Sequence, residues 1–305
     1  MRRRQFLTGA AGAALVAAGC TSADPLGGGA ASGASAAVKV GSAHFPESEI
    51  VAEIYAQSLE AAGFTIERRM QIGARDVYLA ALKDGSIDLI PEYGGNLLQY
   101  FDPSSTAKSS EEVAAALKKA VPQWLVALTP SAAENKDAYH VTPEFSARHQ
   151  VTSLADLVKV GPIRLGGNPE LAKRPYGPPG LTKVYGVPAD QITFVPIGDG
   201  GGPQSINALL GGDVDVVNIY STTPSISENS LVTLADPQNL IIAQNVLPLL
   251  SSRLTDPSIR PRLEAVSAKL TTADLVELNR KNRGTEKASP RDLAAAWLRD
   301  SGLAR

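Results

Sequence analysis

The chain has 305 residues, enough for two domains with hydrophobic cores, and its 44% apolar and 20% charged residues are ordinary for a soluble globular protein. A formal net charge of −2 argues against a nucleic-acid-binding surface, which needs clustered Lys and Arg. The single cysteine, Cys20, excludes a disulfide framework and a cysteine metal site, and the three histidines lack metal-ligand spacing. We therefore expect no metal and no cofactor.

The first twenty residues predict export. Residues 1–19 have a basic start, an apolar run and small residues before Cys20, which is typical of a signal peptide and too short to span a membrane. Ala17-Ala18-Gly19-Cys20 resembles a bacterial lipobox, with Ala17 where Leu or Val is usual, and predicts lipid attachment at Cys20. The alternative is a plain signal peptide with a chance cysteine. Arg3-Arg4-Gln5-Phe6-Leu7 also resembles the twin-arginine export signal.

The next stretches predict alternating strands and helices. Val38 to Gly41 reads as a strand, and Phe45-Pro46-Glu47 opens a helix because proline suits the first helical turn. Phe64 to Met70 is a second strand candidate, and a helix starting at Gly73 leads to a buried strand from Ile87 to Ile90. That buried strand is expected to end at the following proline. The alternation predicts a parallel α/β lobe.

An internal repeat links two parts of the chain. Residues 81–93 carry the pattern Ala-Leu-x-x-Gly-x-Ile-Asp-Leu-Ile-x-x-Tyr, and residues 208–220 carry Ala-Leu-x-x-Gly-x-Val-Asp-Val-Val-x-x-Tyr, each matched pair lying 127 positions apart. The repeat predicts two similar lobes with Tyr93 and Tyr220 at the carboxyl ends of equivalent strands. Ligands of open α/β sheets bind at such strand ends.

The remaining elements predict that the second lobe is inserted into the first. Ile163 to Gly166 repeats the first strand pattern, Ile192 to Ile197 is another strand, and Leu240 to Leu250 reads as a strand that returns to the first lobe. From Ile259 onward the chain is mostly helical.

These boundaries divide the mature chain into three parts. Residues 20–37, rich in Gly, Ser and Ala, form a lipidated flexible linker. Lobe I comprises residues 38–138 and 244–305, and lobe II comprises residues 139–243. The two segments that cross between the lobes form a hinge that permits closure around a ligand.

Several residues are candidates for a binding site on chemical grounds. Tyr93 and Tyr220 could each be an ordinary core or surface tyrosine, but their equivalent placement favours a sandwich around a quaternary ammonium group, because a tyrosine ring offers a negative π face. Arg174 is either a surface arginine or a carboxylate ligand. Asp88 and Asp215 more simply pin local turns.

Residues 198–202, Gly-Asp-Gly-Gly-Gly, are a second kind of candidate. They lack a complete phosphate-binding pattern, so a tight strand-to-helix turn is favoured over a phosphate cradle. The sequence shows no nucleophile elbow, zinc motif or Ser/His/Asp arrangement, so we expect no enzymatic activity.

At these residues the chain resembles the substrate-binding proteins of osmoprotectant ABC importers, the glycine betaine/carnitine/choline-binding family, and is similar to its ProX-like actinobacterial lipoprotein form. The resemblance covers nearly all of residues 38–303. The motifs that carry it are Val40-Gly41-Ser42, Phe45-Pro46-Glu47, Ile72-Gly73, Asp88 to Tyr93, Pro169-Glu170 through Arg174, Gly177 to Leu181, Tyr220-Ser221-Thr222 and Gln244 to Leu249.

The resemblance implies a two-lobed periplasmic-binding-protein fold, type II-like, each lobe a mainly parallel sheet flanked by helices, with an aromatic cage for a trimethylammonium group. It implies that Tyr93 and Tyr220 form part of the cage, that Asn96 and Thr222 lie beside the ligand, and that Arg174 binds the carboxylate. In family members threonine stands at the position of Asn96.

Two further positions depart from the family pattern. The family has cage tyrosines where this chain has Asp137 and, on the return strand, near Asn245. Asp137 could favour a cation such as choline or act on a bound hydroxyl.

The export signal and the family resemblance together imply a monomeric, lipid-anchored, extracytoplasmic protein that binds an osmoprotectant and delivers it to the membrane subunits of an ABC permease. The alternatives are a binding protein of the same fold for an amino acid or polyol, and, much less favoured, an extracellular enzyme.

Overall fold

The computed structural model of the chain describes residues 37–199 and 201–304. The predicted export signal, Cys20 and the linker up to residue 36 lie outside the described residues. Within them, no helix is both long enough and apolar enough to cross a membrane, and no three His, Cys, Asp or Glu side chains of this region cluster as metal ligands would.

The described residues form ten strands, which are β1 Val38–Gly41, β2 Ile66–Arg69, β3 Leu89–Tyr93, β4 Leu125–Ala127, β5 Asp137–Val141, β6 Ile163–Gly167, β7 Ile192–Pro196, β8 Val216–Tyr220, β9 Val232–Thr233 and β10 Val246–Ser251. The α-helices of the same region are α1 Pro46–Ala61, α2 Arg75–Asp84, α3 Gly94–Phe101, α4 Ser110–Ala120, α5 Pro143–His149, α6 Pro178–Tyr185, α7 Pro203–Leu210, α8 Ser225–Glu228, α9 Ile259–Ser267, α10 Thr272–Arg283 and α11 Pro290–Asp300. Short 3-10 helices span Leu154–Lys159, Pro169–Lys173 and Ala189–Gln191.

The strands make two five-stranded sheets of matching design, ordered β2-β1-β3-β10-β4 and β7-β6-β8-β5-β9. In the first sheet only β10 runs against its neighbours, and in the second only β5 does. The predicted α/β fold with two mainly parallel sheets is therefore confirmed. The predicted residue boundaries of the two lobes stay a prediction.

The sequence repeat corresponds to the same position in both sheets, because β3 and β8 are the central strands. Asp88 precedes β3 and accepts a hydrogen bond of 2.9 Å from the Lys39 backbone N–H, while its own N–H donates to the Lys39 carbonyl at 2.8 Å. Asp215 makes the same pair of bonds with Arg164, at 2.8 and 2.9 Å. These aspartates thus fasten each central strand to its parallel neighbour.

Strand β3 lies further along the chain than the predicted strand from Ile87 to Ile90, since it begins at Leu89 and continues through Pro91 to Tyr93. The reason is its antiparallel partner, in which Pro248 lies directly opposite Pro91. Neither residue has an N–H to donate, so the two prolines share a position at which the ladder requires no hydrogen bond. The strand predicted from Leu240 to Leu250 is shorter in the structure, where β10 spans Val246–Ser251.

The two sheets are joined by segments that lie side by side. Asn135 N–H donates to the Gln244 carbonyl at 3.3 Å, and Gln244 N–H donates to the Glu134 carboxylate at 2.9 Å. A Cβ at Gly95 would clash with the Ala243 carbonyl oxygen, so the glycine permits helix α3 to begin against this crossing point.

Both faces of the first sheet are covered. Helices α1, α9, α10 and α11 pack on one face of the first sheet around Ile54, Leu89 and Leu263, and α2, α3 and α4 pack on the other around Leu82, Leu97 and Leu249. When helices cover both faces of a sheet, a ligand can reach the sheet only at the ends of its strands. The candidate site lies at those strand ends.

Candidate functional site

A cavity of about 280 Å³ lies where residues at the end of β3 and the start of α1 meet residues that follow β8. It therefore takes residues from the sides of both sheets, as the repeat predicts for a ligand site. Its lining consists of Phe45, Glu47, Arg75, Tyr93, Asn96, Asn135, Tyr220, Thr222, Thr223, Pro224, Asn279 and Arg283. Four predicted site residues, Tyr93, Asn96, Tyr220 and Thr222, are among them.

Three aromatic side chains contribute walls of the cavity. Tyr220 is 46% exposed and Phe45 is 37% exposed, whereas Tyr93 is buried. The rings of Phe45 and Tyr93 have centroids 5.8 Å apart and planes tilted by 40°. Phe45 was not predicted as a site residue; its signal was a large aromatic immediately before a helix that starts at a strand end.

Glu47 is a buried carboxylate on which several segments converge. Its Oε1 accepts hydrogen bonds from Tyr93 Oη at 2.7 Å and Asn135 Nδ2 at 2.8 Å. Its Oε2 accepts from Thr222 Oγ1 at 2.7 Å and Asn279 Nδ2 at 2.5 Å. Four donors hold the charge in place, since a buried charge requires such partners. Sequence reasoning placed Glu47 at a helix start and in a motif that carries the family resemblance, but did not predict it as a site residue.

The Tyr93 hydroxyl is fixed as a hydrogen-bond donor. Burial raises the pKa of Tyr93 well above its usual value, and the adjacent Glu47 carboxylate raises it further. The ring therefore stays neutral at physiological pH, and its electron-rich face remains available to a cation.

A second carboxylate, Glu92, fixes an arginine at the cavity. Arg75 Nε donates to Glu92 Oε1 at 2.9 Å, and Arg75 Nη2 donates to Glu92 Oε2 at 3.1 Å. Glu92 also accepts hydrogen bonds from the Tyr78 hydroxyl and, at 2.8 Å, from the Tyr93 backbone N–H. Arg75 begins helix α2 and was likewise not predicted as a site residue.

Asn96 is held at the cavity by its partner on the crossing segment. Its backbone N–H donates to Gln244 Oε1 at 2.9 Å, and Gln244 Nε2 donates to Asn96 Oδ1 at 3.0 Å. This pair of bonds uses the Asn96 amide oxygen and leaves its Nδ2 as the group that a ligand would meet.

The other three predicted residues are not part of the cavity lining. The half-exposed Arg174 forms an ion pair with Glu170. Asp137 lies opposite Tyr220 in the second sheet, and burial raises the pKa of its carboxyl group although Tyr176 and Arg174 lower it. Asn245 donates from Nδ2 to the Ser131 carbonyl at 3.0 Å. Their roles in binding stay predictions.

The loop before helix α7 contains an aspartate, Asp199, whose carboxylate binds the N-terminus of that helix. The Asp199 carboxylate accepts hydrogen bonds from the backbone N–H of Gln204 at 2.6 Å and from that of Ser205 at 3.2 Å. It therefore occupies the position that a phosphate would take, in agreement with the turn interpretation. Gly200 of this loop lies outside the described residues.

Residues 36–300 match the family described as the substrate-binding domain of ABC-type glycine betaine transport systems. The glycine betaine-binding protein YehZ of Escherichia coli K12 is 27% identical over 281 residues, which cover 88% of this chain and 92% of that protein. The apo structure of YehZ from Escherichia coli superposes with a TM-score of 0.73 at 28% identity, over 88% of this chain and 99% of that one. A glycine betaine/carnitine/choline ABC transporter structure has a TM-score of 0.77 at 20% identity, over 88% and 100% of the two chains, a likeness of fold.

Proposed function

The chain belongs to the family of substrate-binding domains of ABC-type glycine betaine transport systems, and we propose that the cavity between its two sheets binds the quaternary ammonium group of a compatible solute. Members of this family are transport proteins and not enzymes. The protein accordingly works outside the cytoplasm with two partners, an osmolyte and the permease of an ABC importer.

The proposal rests on the chemical types of the side chains that line this one cavity. Phe45, Tyr93 and Tyr220 offer ring faces, and Glu47 supplies a fixed negative charge. A trimethylammonium group has no N–H to donate, so it is recognised through aromatic faces and charge rather than hydrogen bonds. Asn96 and Thr222 belong to the same proposed site.

Glycine betaine is the first solute to test, because the related Escherichia coli protein carries that ligand in its name. Isothermal titration with glycine betaine, choline, carnitine and proline, together with thermal shift, measures the specificity. We expect heat of binding and a raised melting temperature with at least one quaternary amine. Binding of an uncharged polyol or a primary amino acid alone would contradict the proposal.

We also propose that a lipid on Cys20 anchors the protein to the outer face of the cell membrane, that export follows the twin-arginine route, and that the protein is a monomer. Cys20→Ser should move the protein from the membrane fraction to the medium or periplasm. Replacing Arg3 and Arg4 by lysine should block export. Retention of the Cys20 variant in membranes would contradict the anchor.

A further inference from the structure

Three arginines, Arg75, Arg174 and Arg283, are candidates to bind the carboxylate of a solute. They differ in their partners and in their exposure. Arg174 is paired with the exposed Glu170 and does not line the cavity. Arg283 lines the cavity but is exposed at the end of helix α10. Arg75 lines the cavity and is the one of the three that is anchored by a buried partner, since the Glu92 side chain is 1% exposed.

We propose that Arg75 binds the carboxylate of a zwitterionic solute and so makes the cavity prefer glycine betaine to choline. This inference rests on the proposed function and deepens it. It differs from the expectation carried by the family resemblance, which assigns the carboxylate to Arg174.

The ion pair leaves part of the Arg75 guanidinium available. A guanidinium has five N–H donors, and Glu92 takes one from Nε and one from Nη2. The Tyr78 hydroxyl also lies against the guanidinium, and no hydrogen bond from Nη1 is formed within residues 37–199 and 201–304. A solute carboxylate can therefore accept hydrogen bonds from Nη1 without displacing Glu92.

The orientation of Arg75 is set before a ligand arrives. Its two bonds to Glu92 fix the plane of the guanidinium, and Glu92 is in turn fixed by the Tyr78 hydroxyl and the Tyr93 backbone N–H. A side chain that is already ordered loses less conformational entropy on binding. The Arg75–Glu92 pair has no net charge, so its preference for a carboxylate comes from directed hydrogen bonds.

Tyr93 connects the Glu47 carboxylate to the Arg75–Glu92 ion pair. Its hydroxyl donates to Glu47, and its backbone N–H donates to Glu92, which holds Arg75. A cation that stacks on the Tyr93 ring thus shares the cavity with the Glu47 carboxylate and the Arg75 guanidinium. A zwitterion can place its cation against the ring and its carboxylate against Arg75.

The test compares glycine betaine with choline, which shares the trimethylammonium group and lacks the carboxylate. Dissociation constants of the full chain are measured by isothermal titration for the wild type and for Arg75→Met, Arg174→Met and Arg283→Met. We expect Arg75→Met to weaken glycine betaine at least 10-fold and to change choline less than 3-fold. The other two variants should keep the wild-type ratio of the two affinities.

Removing Arg75 leaves Glu92 with one partner fewer, so a second variant is needed. The double variant Arg75→Met/Glu92→Gln removes the buried charge as well and should show the same selective loss of glycine betaine. Equal loss of both ligands in the double variant, or a changed ratio only in Arg174→Met, would overturn the assignment to Arg75. A wild-type protein that binds no quaternary amine would instead overturn the proposed function, and the assignment with it.

Discussion

Thr222 Oγ1 donates a hydrogen bond of 2.7 Å to Glu47 Oε2, and this bond joins the two sides of the cavity. Glu47 lies in the first turn of helix α1, which packs on the first sheet, whereas Thr222 follows the central strand of the second sheet. Asn279 of helix α10 strengthens the junction, since its Nδ2 donates both to Glu47 and, at 3.3 Å, to the Thr222 carbonyl.

Thr222→Val removes this bond while nearly conserving the side-chain volume. A hydrogen bond to a charged group contributes about 1.5–3 kcal/mol, so we expect a lower free energy of unfolding and more frequent separation of the two sides. Urea denaturation measures the first, and the radius of gyration of the ligand-free protein in solution measures the second. Thr223→Val is the control, because the neighbouring Thr223 also lines the cavity. Equal values for the two variants would refute the importance of the bond.

Glu47→Gln should destabilise the protein more than any exposed glutamate does. Each Glu47 oxygen accepts one hydroxyl and one amide N–H, so a glutamine makes neutral hydrogen bonds in place of charge-assisted ones, and its NH₂ group requires the facing asparagine to turn its Oδ1 inward. A hydrogen bond to a charged group contributes about 1.5–3 kcal/mol, against about 0.5–1.5 kcal/mol for a neutral one. The denaturant midpoint of this variant should fall, and binding of quaternary amines should weaken with the loss of the negative charge.

Glu111→Gln is the matched control for that prediction, because Glu111 is exposed in the first turn of helix α4. Its midpoint should remain that of the wild type. A Glu47→Gln protein as stable as the control would show that the four hydrogen bonds are dispensable.

The aromatic walls can be tested without disturbing the core. Tyr220 and Phe45 are partly exposed, so their replacement by alanine should change the melting temperature little. A cation–π contact contributes about 0.5–2 kcal/mol, and we expect each substitution to weaken a quaternary amine by about 2- to 30-fold in isothermal titration.

Tyr100→Ala serves as the control for the aromatic walls. Tyr100 is 45% exposed, like Tyr220, but lies outside the cavity and donates its hydroxyl hydrogen to Asp76. The Tyr100→Ala variant should bind a quaternary amine with the wild-type affinity. Parallel losses in all three variants would mean that the effect is not specific to the cavity.

The sequence was sufficient to predict the two sheets and two of the aromatic residues that line the cavity, Tyr93 and Tyr220. The reason is that the same sequence pattern occurs once in each sheet. The pattern that ends in Tyr93 and Tyr220 occurs twice, and a repeated strand end is a structural signal that a lone tyrosine does not give. The environments still differ, since Tyr93 is buried and Tyr220 is not.

Glu47 was not predictable in this way, although a Pro-Glu pair occurs four times, at Glu47, Glu92, Glu144 and Glu170. Glu47 is buried among donors from distant segments, while Glu170 is exposed and pairs with Arg174. The difference arises from residues far away in the chain, such as Thr222 and Asn279, so local sequence carries no signal of it. Arg75 escaped prediction for the same reason, because its partner Glu92 follows 17 residues later.

Asp137 gives a prediction in which stability depends on pH. Burial raises the pKa of its carboxyl group above the unfolded value of about 3.9. The folded state therefore favours the protonated form, and the stability that this group contributes is fully present below the unfolded pKa and is lost as the pH rises through the folded pKa. At neutral pH the ionised Asp137 is a cost to folding.

Asp137→Asn removes that cost. We expect its free energy of unfolding to equal that of the wild type near pH 3 and to exceed it at pH 7, as measured by urea denaturation across this range. Asp190→Asn is the control, since Asp190 is exposed and its replacement should give no such divergence. If Asp137 also contacts a bound cation, the Asp137→Asn variant should bind choline less tightly than the wild type does. A variant that is less stable than the wild type at pH 7 would contradict this prediction and would show that Tyr176 and Arg174 more than compensate for burial of the charge.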